Sequence, residues 1–354
     1  MPNEGLKCKR EDSMKLELTE TAGVLVIAEI GVNHNGDITL AKQLIDAAKV
    51  SGADVAKFQI FTAESLATET APAAEYQKKN IGQDVSHYGM LKSLELTEQQ
   101  FEELVDYCSQ VGVEFMASGF SIDDVDVIVR LGARRLKIPS GEITNLPYLR
   151  SVGRHHLPTI MSTGMATLNE VSEAIHALTD AGLDRRHLTI LHCTTDYPTE
   201  PSDVNLRVIP MLHEELKLPI GYSDHTEGIA MAGAAVALGA TVIEKHLTLD
   251  RELPGPDHKA SLEPHRFSEM VAKIRAIEKG LGRSEKHPTL AEKKNRLVAR
   301  KSIVASRAIL RGEILGEQNL TTKRPGTGLS PMLWDEVCGQ TAVRDYKPDE
   351  LIDQ

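Results

Sequence analysis

The chain has 354 residues, which is enough for one large domain followed by a smaller one. Hydrophobic residues make up 41% of it but aromatic residues only 4%, so we expect a sizeable core of aliphatic side chains. The formal net charge is −11, and no run of basic residues resembles a surface for phosphate backbones. Nucleic acid is therefore not an expected partner.

The cysteines and the N-terminal stretch indicate a cytoplasmic protein. The four cysteines are far apart and form no CxxC pair, as is typical of a reducing compartment rather than a disulfide framework or a zinc site. The N-terminal stretch is polar and charged, unlike a signal peptide, and no apolar run approaches membrane-spanning length. We expect no membrane partner.

Eight short apolar runs, rich in β-branched residues, alternate with amphipathic segments whose apolar residues recur every three or four positions. This alternation predicts parallel βαβ units, and eight units in roughly 250 residues match a (β/α)8 TIM barrel of the α/β class. An open doubly wound sheet is the alternative, but the first predicted turn, EIGVNHNG, is not GxGxxG. The runs lie at 24–30, 55–60, 113–118, 135–140, 158–163, 188–193, 219–224 and 241–246.

Two segments depart from the regular alternation. Residues 61–97 separate the second strand from the helix before the third, and an insertion of this length predicts a lid or a binding loop, with a disordered surface excursion as the alternative. Near the C-terminus a charged segment gives way to short β-like runs broken by Gly and Pro, too few residues to bury much core alone. The predicted divisions are an N-terminal extension at 1–20, a barrel at 21–283, a linker at 284–297 and a small β-rich domain at 298–354.

Every predicted strand ends in polar residues. In a (β/α)8 barrel the active site lies at the carboxyl ends of the strands and in the loops that follow them, so these side chains should converge on one pocket. Several of them are costly to bury without partners, which favours a functional role. The candidates are Glu29, Lys57, Gln59, Ser118, Lys137, Ser140, Glu142, Thr195, Tyr197, Ser223, His225, Glu244 and His246.

Lys57 and Lys137 lie inside predicted strands, where barrels carry mostly aliphatic side chains. They suggest an anion held in the mouth of the barrel, with serine hydroxyls as further donors, and such a set suits a phosphate or a carboxylate. The alternative is that each lysine pairs with a strand carboxylate, such as Glu244 or Glu142, and only holds the strands together.

His225 and His246 end neighbouring strands at matching depth. Such a pair suits a divalent metal with open positions for water and substrate, whereas a single histidine at a strand end is more often a structural hydrogen-bonding group. Asp257 follows in a turn framed by Pro and Gly. It would reach a polyol hydroxyl in the mouth, cap the helix that begins near Pro264, or face water.

Several motifs occur in a fixed order along the chain: VIAEIGVNHNG, KFQ, KIPSGEITNLPYL, STGMAT, HCTTDYPT, GYSDHT, IEKHLTLD, PGPDHKASLEP and KRPGTGLSP. Their order and spacing resemble the sialic acid synthases, from about residue 22 onward. The resemblance implies a (β/α)8 barrel followed by a small antifreeze-like (SAF) domain. It also implies a domain-swapped homodimer, in which the small domain of one subunit covers the barrel mouth of its partner.

The resemblance also implies roles for the candidate residues. Manganese, with Mg²⁺ or Co²⁺ as alternatives, would be held by His225 and His246. Phosphoenolpyruvate would be held by Lys57, Ser118, Lys137, Ser140 and Ser223. The sugar or the attacking water would face Glu29, Gln59, Tyr197 and Asp257, with Glu29 as the preferred general base. Glu142 and Thr195 would also contact substrate, and Arg324 would reach in from the partner's small domain.

The implied reaction is the metal-dependent condensation of phosphoenolpyruvate with N-acetylmannosamine and water, which gives N-acetylneuraminate and phosphate by C–O cleavage. Residues 194–196 depart from the family pattern, in which many members carry Asn. The alternative acceptor is therefore 2,4-diacetamido-2,4,6-trideoxymannose, with N,N′-diacetyllegionaminate as product. A synthase for a phosphorylated sugar would need an arginine-rich site that the strand ends lack, and a non-catalytic sugar-binding protein is a remote alternative.

Overall fold

The computed structural model describes residues 23–72 and 86–353. The predicted extension at 1–20 and residues 73–85 of the predicted insertion lie outside the described residues. The chain forms two compact units that divide after Gly282. In the described part of the chain, no helix combines the length and the apolar character needed to cross a bilayer.

The first unit contains a closed barrel of eight parallel strands, which confirms the predicted architecture. The strands are β1 (Leu25–Gly31), β2 (Val55–Ile60), β3 (Glu114–Gly119), β4 (Leu136–Ile138), β5 (Thr159–Ser162), β6 (Leu188–Cys193), β7 (Ile220–Asp224) and β8 (Val242–His246). Each strand pairs with the next, and β8 closes the barrel on β1. As a result, Glu29 in β1 lies opposite Lys57 on one side and His246 on the other.

The fourth strand is shorter than the sequence predicts. The apolar run suggested a strand over 135–140, but β4 ends at Ile138. Pro139 has no N–H to donate to a neighbouring strand, and the chain then forms a 3₁₀ turn over Ser140–Glu142. The turn redirects the chain immediately after the strand, which matters for the position of Glu142.

Most of the helices in the described part of this unit begin at polar caps that the sequence supplies. The Asp37 side chain accepts from two backbone N–H groups at the start of the first helix, and Thr97 and Thr167 open two others with capping boxes. Gly112 ends one helix in the left-handed conformation, with φ 78°. The helices are α1 (Ile38–Val50), α2 (Ala63–Leu66), α3 (His87–Leu94), α4 (Glu98–Val111), α5 (Ile122–Arg130), α6 (Leu146–Arg154), α7 (Leu168–Asp180), α8 (Val208–Leu216), α9 (Ala230–Ala237) and α10 (Pro264–Leu281).

The interior of the barrel changes from apolar to polar along the strands. Alternate residues of a strand point to the same face, so inward positions recur every second residue. A lower layer of apolar side chains is formed by Ile27, Val55, Met116, Ile160, Leu191 and Val242. Two residues further along five of these strands stand the buried polar residues Glu29, Lys57, Ser118, Ser162 and Glu244. The polar layer therefore lies above an apolar floor, at the carboxyl ends of the strands.

The second unit has a small core of its own. Its elements are α11 (Leu290–Ala299), the antiparallel pair β9 (Ser302–Ala305) and β10 (Leu320–Lys323), and α12 (Trp334–Val337). A cluster of buried side chains that includes Ile303, Leu315 and Tyr346 forms this core, to which α11 contributes no buried residue. α11 begins inside the predicted linker and extends to Ala299, so much of that segment is helical.

A buried ion pair joins β7 to β8 just before the two histidines. Asp224 and Lys245 are neighbours in the strand register, their side chains are fully buried, and Lys245 Nζ lies 2.9 Å from Asp224 Oδ2. The other carboxylate oxygen accepts from Thr226 N at 2.9 Å and Thr226 Oγ1 at 2.8 Å. This pair therefore couples the ends of the strands that carry His225 and His246.

Replacing Lys245 with methionine should destabilise the fold strongly. Lys245→Met keeps the length of the side chain but leaves the Asp224 carboxylate buried without its cation, which typically costs about 3–5 kcal/mol. Urea unfolding followed by circular dichroism measures the loss.

The matched control is Lys273→Met, which breaks an ion pair with Glu269 on the surface of α10, where Lys273 is 58% exposed. Such exposed pairs contribute about 0–1 kcal/mol. A Lys245→Met protein no less stable than Lys273→Met would show that the buried pair does not hold these strand ends.

Candidate active site at the mouth of the barrel

The carboxyl ends of the strands surround a cavity of about 350 Å³. Twelve of the residues singled out from the sequence line it: Glu29, Lys57, Gln59, Ser118, Lys137, Ser140, Thr195, Tyr197, Ser223, His225, His246 and Asp257. Glu244, which the sequence also placed at a strand end, lines it as well. Polar side chains far apart in the sequence therefore meet in one place.

Two candidate residues are not among those that line this cavity. Glu142 ends the 3₁₀ turn that follows Pro139, and its Oε2 accepts from Asn145 Nδ2 at 2.6 Å beside the start of α6. The early end of β4 explains this position, because the turn moves Glu142 past the strand end. Arg324 follows β10 in the second unit and is exposed there.

Lys57 lies between two carboxylates in the polar layer. Its Nζ is 2.5 Å from Glu29 Oε2 and 3.4 Å from Glu244 Oε2, and all three side chains are buried. Burial alone would lower the pKa of Lys57, but Glu244 and Glu29 outweigh that effect and raise it. Lys57 is therefore a permanent cation, and the carboxylate pairing weighed from the sequence is present.

Lys137 is less completely neutralised than Lys57. Its Nζ donates to Ser162 Oγ at 2.6 Å and to the Ile138 carbonyl at 3.1 Å, but the Glu244 carboxylate is 4.0 Å away. Burial lowers the pKa of Lys137, and Glu244 only partly offsets that effect. An anion bound beside Lys137 would supply the counter-charge that the protein leaves incomplete.

Glu29 and Glu244 are buried carboxylates in different electrostatic states. Burial raises the pKa of Glu29, and the nearby Lys57 offsets this only in part. Burial would also raise the pKa of Glu244, but Lys137 and Lys57 bring it down to about 2. Glu244 is therefore a fixed negative charge, whereas Glu29 is the carboxylate better suited to exchange a proton.

His225 and His246 face each other with their ring centroids 5.6 Å apart. His225 Nδ1 lies 2.6 Å from the Thr194 carbonyl and so carries the proton, which leaves Nε2 with a lone pair 3.3 Å from Ser223 Oγ. Burial lowers the pKa of His225 to about 4 and lowers that of His246 well below its usual range. Both rings are therefore neutral at pH 7, the form that ligates a metal.

The histidine pair fits a divalent ion with open positions. His246 Nδ1 is buried and has no hydrogen-bond partner in the described part of the chain, while the carbonyl on His225 Nδ1 orients that ring as is usual for metal ligands. Within residues 23–72 and 86–353, no group of three or more His, Cys, Asp or Glu side chains is arranged to hold a metal. An ion held by this pair would complete its coordination with water or substrate.

The structure excludes one of the roles that the sequence left open for Asp257, the capping of α10. Its side chain is 7% exposed and lines the cavity, and the N-cap of α10 is Glu263, so Asp257 does not cap that helix. Burial, helped by the charge on Glu29, raises the pKa of Asp257 to about 7. Asp257 and Glu29 are therefore two carboxyl groups on the same cavity whose pKa is raised by burial.

Sequence reasoning missed part of the cavity lining. Ser162 ends the predicted strand at 158–163 and occupies the inward position of β5, two residues after the apolar floor, but it was given no role among the candidates. No comparable signal pointed to the apolar residues contributed by the insertion and by the loops after β1 and β3. They are Val32, Leu66, Met90, Leu91, Leu94 and Phe120.

The closed parallel barrel and its polar mouth define a (β/α)8-barrel enzyme with its active site at the carboxyl ends of the strands. Residues 44–286 match the model of the NeuB family, and residues 300–354 match that of the SAF domain. The chain belongs to the NeuB family. The expected barrel and SAF domain, and the resemblance to sialic acid synthases at the level of the family, are thereby confirmed.

Relatives of known activity cover almost the whole chain. The N,N′-diacetyllegionaminic acid synthase of Campylobacter jejuni is 48% identical over 328 residues, which is 93% of this chain and 98% of that protein. The enzyme of the same name from Legionella pneumophila is 46% identical over 322 residues, 89% of each chain. The crystal structure of the N-acetylneuraminic acid synthetase of Leptospira borgpetersenii, at 31% identity and a TM-score of 0.68, covers 77% of this chain and 90% of its own. The chain is therefore an enzyme, a synthase of this family.

The raised pKa of Asp257 predicts a pH-dependent cost to stability. A carboxyl group whose pKa rises on folding favours the fold while it stays protonated, so this contribution is complete below its ordinary pKa of 3.8 and is lost as the pH rises through about 7. Asp257→Asn removes the ionisation with little change of shape. We expect it to raise the free energy of unfolding by about 2–4 kcal/mol at pH 8 and to have little effect at pH 4.

Urea unfolding at both pH values checks this expectation, with Asp106→Asn on the exposed face of α4 as the control. That control should change stability by less than about 0.5 kcal/mol at either pH. An Asp257→Asn protein that is no more stable than wild type at pH 8 would contradict the burial of an ionisable carboxyl group.

Proposed function

We propose that this enzyme is an N,N′-diacetyllegionaminate synthase, which condenses phosphoenolpyruvate with 2,4-diacetamido-2,4,6-trideoxymannose and water and releases phosphate. The observation that carries the proposal is the cavity in which buried lysines adjoin a pair of neutral imidazoles. The motifs alone put N-acetylmannosamine first as the acceptor. Two relatives named as N,N′-diacetyllegionaminic acid synthases, at 48% and 46% identity, favour the second acceptor instead.

Phosphoenolpyruvate would bind at the lysine side of the cavity. Lys137 lacks a close carboxylate partner, so a phosphate or carboxylate group beside it removes the penalty of a buried and poorly compensated cation. Lys57 would add a second cation, positioned by Glu29 and Glu244. The hydroxyl groups available as further donors on this side belong to Ser118, Ser140, Ser162 and Ser223.

The open-chain sugar would bind at the histidine side with its aldehyde toward His225 and His246. We propose that these two residues hold a divalent ion, Mn²⁺ in the first instance and Mg²⁺ or Co²⁺ as alternatives. When bound, such an ion supplies Lewis-acid polarisation of a carbonyl group. The Tyr197 ring packs against both histidines, since its centroid is 4.1 Å from that of His225 and 5.7 Å from that of His246.

The reaction forms one C–C bond and breaks one C–O bond. Carbon 3 of phosphoenolpyruvate attacks the aldehyde carbon, and the aldehyde oxygen becomes a hydroxyl group. Water adds to carbon 2 with loss of a proton, and the tetrahedral carbon then expels phosphate to give the keto acid. Glu29 would take the proton from water, since burial raises its pKa toward that needed of a general base. Gln59 Nε2 donates to Glu29 Oε1 at 3.3 Å and orients it.

A synthase for a phosphorylated sugar fits the cavity less well. Such a substrate carries a second phosphate, which would need further cationic side chains. Among the described residues that line the cavity, Lys57 and Lys137 are the only lysines, and none is an arginine. A non-catalytic sugar-binding protein would not need two buried lysines beside proton-exchanging carboxyl groups.

We further propose a domain-swapped homodimer in the cytoplasm. The resemblance to sialic acid synthases assigns Arg324 to the acyl-amino group of the sugar bound to the partner subunit. A cytoplasmic location is supported by the unpaired thiols of Cys108, Cys193 and Cys338, which suit a reducing compartment.

The enzyme should release phosphate from phosphoenolpyruvate when 2,4-diacetamido-2,4,6-trideoxymannose and Mn²⁺ are present. The kcat/KM for this sugar should exceed that for N-acetylmannosamine by about 10-fold or more, because discrimination in a shaped pocket typically reaches that range. Phosphoenolpyruvate labelled with ¹⁸O at the bridging position should deliver the label to phosphate, as C–O cleavage requires. Label retained in the keto acid, or no phosphate with either sugar, would overturn the proposal.

His246 and Arg324 together test the metal and the swapped dimer. Wild type should bind Mn²⁺ and so reduce the free Mn²⁺ signal in electron paramagnetic resonance titrations. His246→Ala should leave that signal unchanged and lower kcat by about 1,000-fold or more. Arg324→Ala should bind Mn²⁺ like wild type but raise the KM for the sugar far more than that for phosphoenolpyruvate. In a co-expressed heterodimer of the two variants, one mouth would be intact, so about half of the wild-type activity should return.

Differently tagged subunits allow the heterodimer to be purified away from both homodimers. Without recovery in the heterodimer, Arg324 would have to act within its own subunit or not at all. Mn²⁺ binding by His246→Ala with wild-type affinity would remove the metal assignment.

A further inference from the structure

One side of the cavity is lined mainly by hydrocarbon, although α3 also contributes His87 to the lining. The side chains that form this apolar wall are Val32, Leu66, Met90, Leu91, Leu94 and Phe120. They belong to one hydrophobic cluster, separate from the clusters that fill the barrel and the space around it. Three of them come from α3 in the insertion, and Met90, Leu91 and Leu94 are each no more than 6% exposed.

The apolar wall is held in place by contacts around α2 and α3, which belong to the described part of the insertion. Glu95 Oε1 accepts from Ala63 N at 2.6 Å, and Lys92 Nζ lies 2.9 Å from Glu64 Oε1, so α2 and α3 are tied together. The loop after β1 approaches closely as well, because a Cβ atom at Gly36 would lie 2.7 Å from the Ser93 carbonyl oxygen. The surface is therefore formed before any ligand arrives.

The apolar wall borders the sector of the cavity formed by β1, β2 and β3, beside Glu29 and Gln59, two of the side chains that the resemblance assigns to the sugar or the attacking water. Val32 follows Glu29 by three residues in the loop after β1, and Phe120 follows Ser118 by two. Leu66 and α3 belong to the connection between β2 and β3. Lys137, with its incomplete counter-charge, lies beyond this sector on β4.

The chemistry of the apolar wall is unusual for a site that binds a polyhydroxylated sugar. Hydroxyl groups pressed against hydrocarbon lose water without gaining a hydrogen bond, whereas methyl groups gain from the same contact. 2,4-Diacetamido-2,4,6-trideoxymannose carries a methyl group at C6 and an acetyl methyl on N4. N-Acetylmannosamine carries hydroxyl groups at both carbons.

We infer that the apolar wall selects the acceptor by contacting the C6 methyl and the N4 acetyl methyl of the sugar, whose aldehyde end lies at the histidine pair. This inference rests on the proposed function and adds the part of the protein that sets its specificity. The insertion is then a selectivity element for the end of the sugar farthest from the new C–C bond.

Met90→Gln tests the inference, because glutamine has nearly the volume of methionine and adds an amide at its tip. The ratio of kcat/KM for the diacetamido sugar to that for N-acetylmannosamine should fall by about 10-fold, the scale on which one apolar contact discriminates. Met90→Leu should retain the wild-type ratio. The KM for phosphoenolpyruvate should stay within about twofold of wild type in both variants, since the anion is assigned to Lys57 and Lys137 on the barrel strands and not to α3.

Because both sugars are assayed with the same preparation, the ratio does not depend on how much of the protein is folded. Met270→Gln, at a buried methionine of α10 in the main core, is the control and should leave the ratio unchanged. Leu66→Gln, at a partly exposed position of the same wall, should lower the ratio as Met90→Gln does. Because Leu66 is partly exposed, this variant should fold even if Met90→Gln does not.

The outcomes separate this inference from the proposed function. A wild-type enzyme that releases phosphate with either sugar, but whose ratio is unchanged by both Met90→Gln and Leu66→Gln, would overturn the inference and leave the synthase intact. A wild-type enzyme whose kcat/KM is higher for N-acetylmannosamine than for the diacetamido sugar would also overturn the inference. Absence of phosphate with either sugar would instead remove the proposed function on which it rests.

Discussion

The mouth of the barrel depends on a buried balance of charge. Lys57 lies between Glu29 and Glu244 where water has little access, and each of these charges is tolerable only because its partners are close. Lys137 completes a set of two cations and two carboxylates, but it lies 4.0 Å from the nearest carboxylate oxygen. A bound anion would satisfy Lys137 and compete for Lys57, and Glu29 would then hold a proton more readily. Under the proposed function, anion binding and the protonation of Glu29 would thereby be coupled through Lys57.

The strand register explains why this balance adjoins the histidine pair. Glu29 lies opposite Lys57 on β2 and opposite His246 on β8, so the same carboxylate borders both halves of the cavity. A closed barrel makes this possible because the first and last strands are neighbours, whereas the edges of an open sheet would leave them apart. The buried pair of Asp224 and Lys245 stands behind the histidines on the outer face of the same two strands. The closure of the barrel therefore brings the charged layer and the histidine pair together.

Most of the barrel and of its polar mouth could be predicted from the sequence, because strand ends in a parallel barrel have only one place to meet. The prediction was wrong where local chain direction decides the outcome: Pro139 ended β4 early, and the following turn moved Glu142 away from the cavity lining. The apolar wall was not predicted, since residues 61–97 were predicted only as a lid or a binding loop, and no side chain within them was assigned to the cavity. Which side of a helix faces a cavity depends on tertiary contacts that the sequence pattern does not encode.

Because the hydrophobic clusters are separate, the preferred acceptor could change in such a fold without changes in the barrel. The apolar wall belongs to its own cluster, and none of its members lies in the barrel floor that supports the charged layer. Substitutions at sites without shared contacts act almost independently, so Met90 or Leu66 can vary while Glu29 and Lys57 keep their positions. The phosphoenolpyruvate chemistry would then stay constant as the sugar changes. Under the proposed function, α3 and the loops beside it would select the acceptor, and the side chains at the strand ends would carry out the chemistry.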